Sequence, residues 1–144
     1  MWYRVAEYYY DSRKVGRQRT DEEYAGELER LAGEREIRRV IVDPSAASFI
    51  EVLRRRGFQV VRADNDVADG IRVTSDLLKK RRIVICRTCG DCLREMELYC
   101  WDERGGRDAP RKENDHAMDD LRYFAMDLAG ERRGFAATWV ERKA

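Results

Sequence analysis

The sequence is short of several features that would place it quickly. It has one histidine and two prolines in 144 residues. No apolar run approaches the roughly eighteen residues that a membrane-spanning helix needs, and no signal-peptide pattern is present. Those absences predict a soluble, intracellular chain with no membrane contact. No GxxxxGKS/T phosphate loop occurs, which excludes a nucleotide site of that type. There are no repeats and no low-complexity segments. Charge of one sign is lacking too: 40% of residues are charged, yet the net charge is only +1. No global basic field therefore announces a nucleic-acid partner. What is present is enough chain for one domain with a proper core.

Taken in order, the hydrophobic pattern alternates between short strands and helices. Met1 to Tyr10 is rich in aromatics and reads as a strand. After a charged connection with Gly16, Thr20 and Glu23 form a capping box. Tyr24, Leu28 and Leu31 then line one face of a helix that Gly33 ends. Ile37 to Val42 reads as a buried strand ending at Asp43, and Pro44 suits the first turn of the next helix. That helix buries Phe49, Ile50 and Leu53, and Gly57 stops it. Phe58 to Val61 is a further strand, and the polar loop Asp64-Asn65-Asp66 follows it. A helix from about Asp69 to Lys80 turns Ile71, Leu77 and Leu78 inward. Ile83 to Cys86 is a strand, and Cys89 to Trp101 reads as helix. Asp102 to Lys112, with Gly105, Gly106 and Pro110, is the longest expected loop. The charged tail ends in Phe135 and Trp139-Val140, and docks or frays. Strands alternating with helices predict an α/β layered fold with parallel strands, with chemistry at the strands' C-terminal ends.

The stretch Lys112 to Tyr123 (KENDHAMDDLRY) concentrates the chemistry, because it holds the single histidine among carboxylates. At helical spacing Asp115, His116 and Asp119 fall within one sector of about 100°. Met118, Leu121, Ala125 and Leu128 form a separate apolar face. Asn114 reads as the N-cap, which would put the acidic groups in the first turn, where a helix favours negative charge. On its own, that pattern is also what a solvated acidic helix start looks like. Asp43, just past a strand, is the second acidic signal. With Asp115, His116 and Asp119 it would supply oxygen and imidazole ligands for Mg²⁺ or Mn²⁺. Asp43 serves equally as an N-cap before Pro44, and the two roles are compatible.

At these residues the chain resembles a known family. Ile41-Val42-Asp43-Pro44-Ser45-Ala46-Ala47 is followed by Arg62-Ala63-Asp64-Asn65-Asp66-Val67 and Gly70-Ile71. Next come Tyr99-Cys100-Trp101-Asp102, then Glu113 to Asp119 with Leu121-Arg122-Tyr123. Together with Glu7 to Tyr10 and Thr20 to Tyr24, they are similar to the C-terminal nuclease domain of the large terminase subunit of tailed phages and prophages. The resemblance implies an RNase H-like mixed sheet flanked by helices over 1–130, with 131–144 as a tail. It implies two-metal cleavage of concatemeric double-stranded viral DNA during packaging. Asp43 and His116 match family ligand positions, and Asp119 and Asp115 are ligands or supporting groups. Implied partners are the viral DNA, the terminase ATPase domain, the small subunit and the portal, in the cytoplasm of a bacterial host.

The family's first catalytic Asp lies on strands that precede the aromatic one, and these are expected to be missing here, so the chain reads as an N-terminally truncated fragment of weak or no activity. The aromatic strand is then expected to move beside the Ile37–Val42 strand. Otherwise an exposed sheet edge remains, through which copies would self-associate. A non-catalytic remnant that binds DNA, the portal or itself is the alternative function.

The cysteines pose a rival. Cys86, Cys89, Cys92 and Cys100 (C-x2-C-x2-C-x7-C) are enough thiols for a structural zinc or an iron–sulfur cluster. Straight-helix geometry, however, puts Cys100 about 12 Å from Cys92, too far to share one zinc. Free thiols are the expected state, with no disulfides. Trp101 and Tyr8-Tyr9-Tyr10 are read as core before base-stacking groups, and Arg54-Arg55-Arg56 and Lys79-Lys80-Arg81-Arg82 as solvated helix ends before phosphate contacts.

Overall fold

The computed structural model of the chain describes residues 1–102, 109–131 and 140–141. Gly105 and Gly106 of the expected long loop, and Phe135 and Trp139 of the tail, lie outside the described residues. Elements run in the order β1 (Trp2–Arg4), α1 (Ser12–Val15), α2 (Asp21–Ala32), β2 (Val40–Val42), α3 (Ala47–Arg55) and β3 (Val60–Arg62). They continue with α4 (Val67–Lys79), β4 (Ile83–Ile85), α5 (Gly90–Leu98), α6 (His116–Glu131) and β5 (Val140–Glu141). The strands form two parallel sheets, β1-β4 and β3-β2-β5. This is the expected α/β alternation.

β2 is the wall of the domain. All of its residues are buried, as a parallel strand covered on both faces should be. Because successive side chains point to opposite faces, Ile41 enters one core cluster while Val40 and Val42 enter the other. The first cluster holds Leu77 of α4, Ile83 of β4, and Met118, Leu121, Phe124 and Leu128 of α6. The second holds Leu28 of α2 and Phe49, Ile50 and Leu53 of α3. The apolar stripes of α3 and α6 are the ones that the periodicity marks out, whereas Leu31 of α2 and Ile71 of α4 stay outside both clusters, and Val73 packs on the first instead. Thr20 caps α2 as expected, its Oγ1 accepting from the Glu23 amide at 3.2 Å, while the Glu23 carboxylate binds Arg17. Asp66 caps α4 by accepting from Asp69 N at 2.8 Å, so that helix starts earlier than the sequence suggests.

Several elements differ from expectation. The aromatic strand is confined to Trp2–Arg4, and it pairs with β4 rather than β2. Side chains at the edges of α6 account for this. The Trp2 ring meets Phe124 edge-on at 5.7 Å, and the Arg4 guanidinium binds Asp120 at 2.8 Å. The second edge of β2 is taken by β5, in register Val40 to Val140. Beyond Arg4, Glu7 and Tyr9 leave the ladder because their side chains bind α5. Asp43 does not cap α3. It closes a turn with Ser45, and the helix starts at Ala47, past Pro44. Helix α5 stops at Leu98, leaving Cys100 beyond it and Trp101 bridged to Pro110.

α4 and α6 cross closely at Gly70, where a Cβ would lie 3.2 Å from Arg122 Cδ. A bare backbone here leaves the Arg122 side chain its path along α6. Elsewhere the second core cluster is conventional and testable. Leu53, fully buried on α3, should lose about 2–5 kcal/mol of stability on Leu53→Ala, measured by urea denaturation.

Candidate metal centre

Asp43 stands one residue past β2, at the C-terminal mouth of the sheet. Its Oδ1 accepts from the amide and hydroxyl of Ser45 at 2.8 and 2.7 Å. Its Oδ2 accepts from the Tyr123 hydroxyl, on α6, at 2.7 Å. Helix α6 brings the other candidates. Asn114 is not its cap: this residue adopts φ 51, a conformation that asparagine tolerates, and its Oδ1 accepts from Arg94 at 3.1 Å. The chain turns there, and the first helical bond runs from the Asp119 amide to the Asp115 carbonyl at 2.8 Å.

This geometry brings Asp43, His116 and Asp119 together around one cavity of about 160 Å³, walled by Ile41, Val42 and Tyr123. Asp115 does not line it. It is buried at the start of α6 and faces a neighbouring cleft of about 350 Å³ with Tyr9, Tyr10 and Lys112, and His116 borders both. Asp120 also lines the smaller cavity, where Arg4 of β1 binds it.

The carboxylates are tuned in opposite directions. Burial pushes the Asp43 carboxyl up, but hydrogen bonds from the Ser45 and Tyr123 hydroxyls and the Ser45 amide, with the field of Lys112, outweigh it. Asp43 therefore lies below the ordinary value. Asp119 lies above it, because burial outweighs the hydrogen bond and charge of Arg122. The Tyr123 hydroxyl is raised, first by burial and then by its bond to the Asp43 carboxylate, so it stays a donor.

Carboxylate oxygens and one imidazole nitrogen around a small cavity are donors that suit a hard divalent cation. Among the described residues, however, no group of three such side chains is placed to hold a metal as it stands. Protein donors occupy both oxygens of Asp43 and one of Asp119. The cysteines are not gathered either. None of the four forms a disulfide, and Cys89 and Cys92 are buried while Cys100 is exposed. Burial also raises the Cys89 thiol, which disfavours the thiolate that a metal requires.

Asp120, Arg122 and Tyr123 were not singled out as site groups from sequence. Spacing carries a signal for two of them, since Arg122 and Tyr123 lie three and four residues after Asp119, within helical reach. Glu95, which binds the start of α6, leaves no such local trace.

A parallel α/β frame with acidic groups converging from a central strand end and the last long helix is the arrangement expected of an RNase H-like domain. Residues 4–128 match the terminase RNaseH-like domain family, and the chain belongs to it. It is similar to the large terminase subunit of Escherichia phage T5, 25% identical over 119 residues, covering 78% of this chain and 27% of that protein. It is also similar to the large terminase of a thermophilic bacteriophage. In the structure of that terminase with ADP the match is 44% identical with TM-score 0.84, covering 88% of this chain and 33% of that one. In its structure with ATP-gamma-S the match is 46% identical with TM-score 0.82, covering 86% and 33%. The chain thus spans about a third or less of these relatives' length. Among the described residues no helix is long and apolar enough to cross a membrane.

Tyr123→Phe should raise the Asp43 pKa toward the ordinary carboxylate value, read by carboxyl NMR titration. Because that pKa is depressed in the folded state, Asp43 contributes stability that is present above its unfolded value and is lost as pH falls through its folded value. The pH-dependent part of the variant's stability deficit should therefore be present at neutral pH and vanish in acid, where both proteins are protonated at this site.

Proposed function

We propose that this chain is the nuclease part of a large terminase, cutting concatemeric double-stranded viral DNA with Mg²⁺ or Mn²⁺ during packaging in the bacterial cytoplasm. The observation that carries this reading is the meeting of Asp43, from the end of β2, with His116 and Asp119 of α6 around one cavity. Those three would hold the cation, with Asp115 as a supporting group at the helix start. When bound, such a cation pair supplies the positive charge that activates the attacking water and stabilises the leaving oxygen. The chain's own groups do the rest. Arg122 holds Asp119 and Tyr123 holds Asp43, while His116 stands exposed at the cavity rim, where a DNA strand would pass.

Residues 1–130 would form the working domain, with 131–144 as a tail that adds β5 to the sheet beside β2. By family, the partners are the DNA, an ATPase domain, a small terminase subunit and the portal. A further carboxylate, on strands that in the family precede β1, would complete the pair of cations. Copies of the chain would self-associate through any sheet edge left open.

A second reading, a non-catalytic terminase domain that keeps the fold, is favoured by the donors already bound to Asp43 and Asp119. Calorimetric titration with Mn²⁺ and a plasmid-relaxation assay separate the two. The nuclease reading expects Mn²⁺ binding that weakens roughly tenfold or more in Asp43→Asn and in His116→Ala. It also expects slow relaxation that His116→Ala abolishes. Binding without relaxation would support the non-catalytic domain, and binding unchanged in both variants would overturn the metal placement.

A further inference from the structure

The most completely buried charged side chain among the described residues is Glu95, at 0% exposure. It sits on α5, outside the cavity of Asp43, yet its hydrogen bonds lead to the surroundings of His116. Its Oε2 accepts from the backbone amides of Ala117 at 2.6 Å and Met118 at 3.2 Å. These are two of the donors that a helix leaves unsatisfied at its start. A side chain of the N-cap residue normally takes them. Here a carboxylate from another helix does so, and it fixes where α6 begins. Its Oε1 accepts from the Tyr9 hydroxyl at 2.8 Å. The Tyr9 ring in turn meets the His116 imidazole edge-on, centroids 6.2 Å apart at 65°.

Glu95 is itself held in the same manner. Cys89, at the cap position of α5, gives no side-chain bond to that helix. Instead the Glu7 carboxylate accepts from the amides of Asp91 at 2.6 Å and Cys92 at 3.2 Å. Glu7 thus seats α5 on the segment after β1, and Glu95 seats α6 on α5.

We propose that Glu95 is the positioning residue of the site: it aims the His116 imidazole by fixing the two amides that follow His116 and the tyrosine ring that packs against it. Its effect on a bound cation rests on the metal reading above, whereas its effect on the imidazole does not. A carboxylate that only capped α6 would have no need of Tyr9. The bond to Tyr9 ties the ring beside the imidazole to the same anchor as the helix start, and Arg94 lies over that ring as well, 5.4 Å from its centroid.

The test uses the whole chain and the fact that His116 is its only histidine, so its ring protons give isolated NMR signals. In the metal-free wild type, cross-relaxation between the His116 and Tyr9 rings should be strong and the Ala117 and Met118 amides slow to exchange. In Glu95→Gln, with the fold intact by circular dichroism, the ring contact should be lost and those amides should exchange several-fold faster. Mn²⁺ affinity by calorimetry should fall roughly tenfold, the cost typical of losing a group that orients a ligand. Unchanged His116 signals and Mn²⁺ affinity within twofold, in a folded Glu95→Gln protein, would overturn the proposal and leave Glu95 a helix cap. Should Glu95→Gln not fold, Tyr9→Phe removes only the hydroxyl. Loss of the ring contact there supports the proposal, and its retention with unchanged affinity overturns it. A wild type that binds no Mn²⁺ would sink the metal reading alone, since the ring contact and amide exchange still decide the role of Glu95.

Discussion

Helix α6 is the element on which the domain depends, because one stretch of chain must satisfy both the core and the site. Its apolar face buries Met118, Leu121, Phe124, Ala125 and Leu128, and its first turn carries His116 and Asp119 at the cavity. The two demands share one rotation about the helix axis. A turn of α6 that improved packing against Leu77 or Ile83 would swing the site residues away from Asp43. The position of the helix is therefore fixed from several sides. Tyr123 ties it to the end of β2, Arg4 ties it to β1, and Gly70 lets α4 approach where Arg122 passes.

Those ties also explain a composition in which many charges nearly cancel. Along α6, Asp119 meets Arg122, Asp120 meets Arg4, and Asp127 accepts bonds from Arg39 at 2.6 and 2.7 Å. The Arg4–Asp120 pair is almost fully withdrawn from water, with side chains 8% and 6% exposed. Burying such a pair gains little net stability, because desolvation opposes the attraction, yet breaking one partner leaves an expensive lone charge. Pairs of this kind select a geometry more than they stabilise it. They discriminate against any other seating of α6, which a core made only of aliphatic side chains would tolerate more readily.

Periodic and local features were legible in the sequence. The apolar faces of α3 and α6 follow the helical repeat, and the Thr20 cap of α2 is a fixed local pattern. Asp43 was legible as a candidate, and the structure places it on the cavity with His116 and Asp119, because position at a strand end is itself a signal. What escaped depends on contacts across the chain. The partner of β1 is decided by Trp2 on Phe124 and Arg4 on Asp120, neither of which leaves a local mark. Asn114 looked like a cap by residue type, but its left-handed backbone moves the helix start one residue on. Pro44 looked like a first-turn proline, but Asp43 and Ser45 close a turn through it before α3 begins. Glu95 carries no local sign of its role, which depends on the start of α6 lying beside it.

On the proposed function, the two carboxylates would meet a cation on unequal terms. At Asp43 the competing side-chain donors are hydroxyls of Ser45 and Tyr123, neutral groups that a cation can displace without repulsion. The depressed pKa of Asp43 also means the carboxylate is already ionised at neutral pH. At Asp119 the competitor is the Arg122 guanidinium, which carries positive charge and is buried at 4% exposure. A cation there must either displace Arg122 or share the carboxylate with it, and burial already weights Asp119 toward its protonated form. Asp43 with His116 is accordingly the stronger half of the cavity, and Asp119 the half that needs a conformational change. Arg122 passes close to α4 at Gly70, where an added Cβ would lie 3.2 Å from its Cδ, so its freedom to move depends on that glycine. The packing that seats α6 thus also controls whether its second carboxylate is free to act.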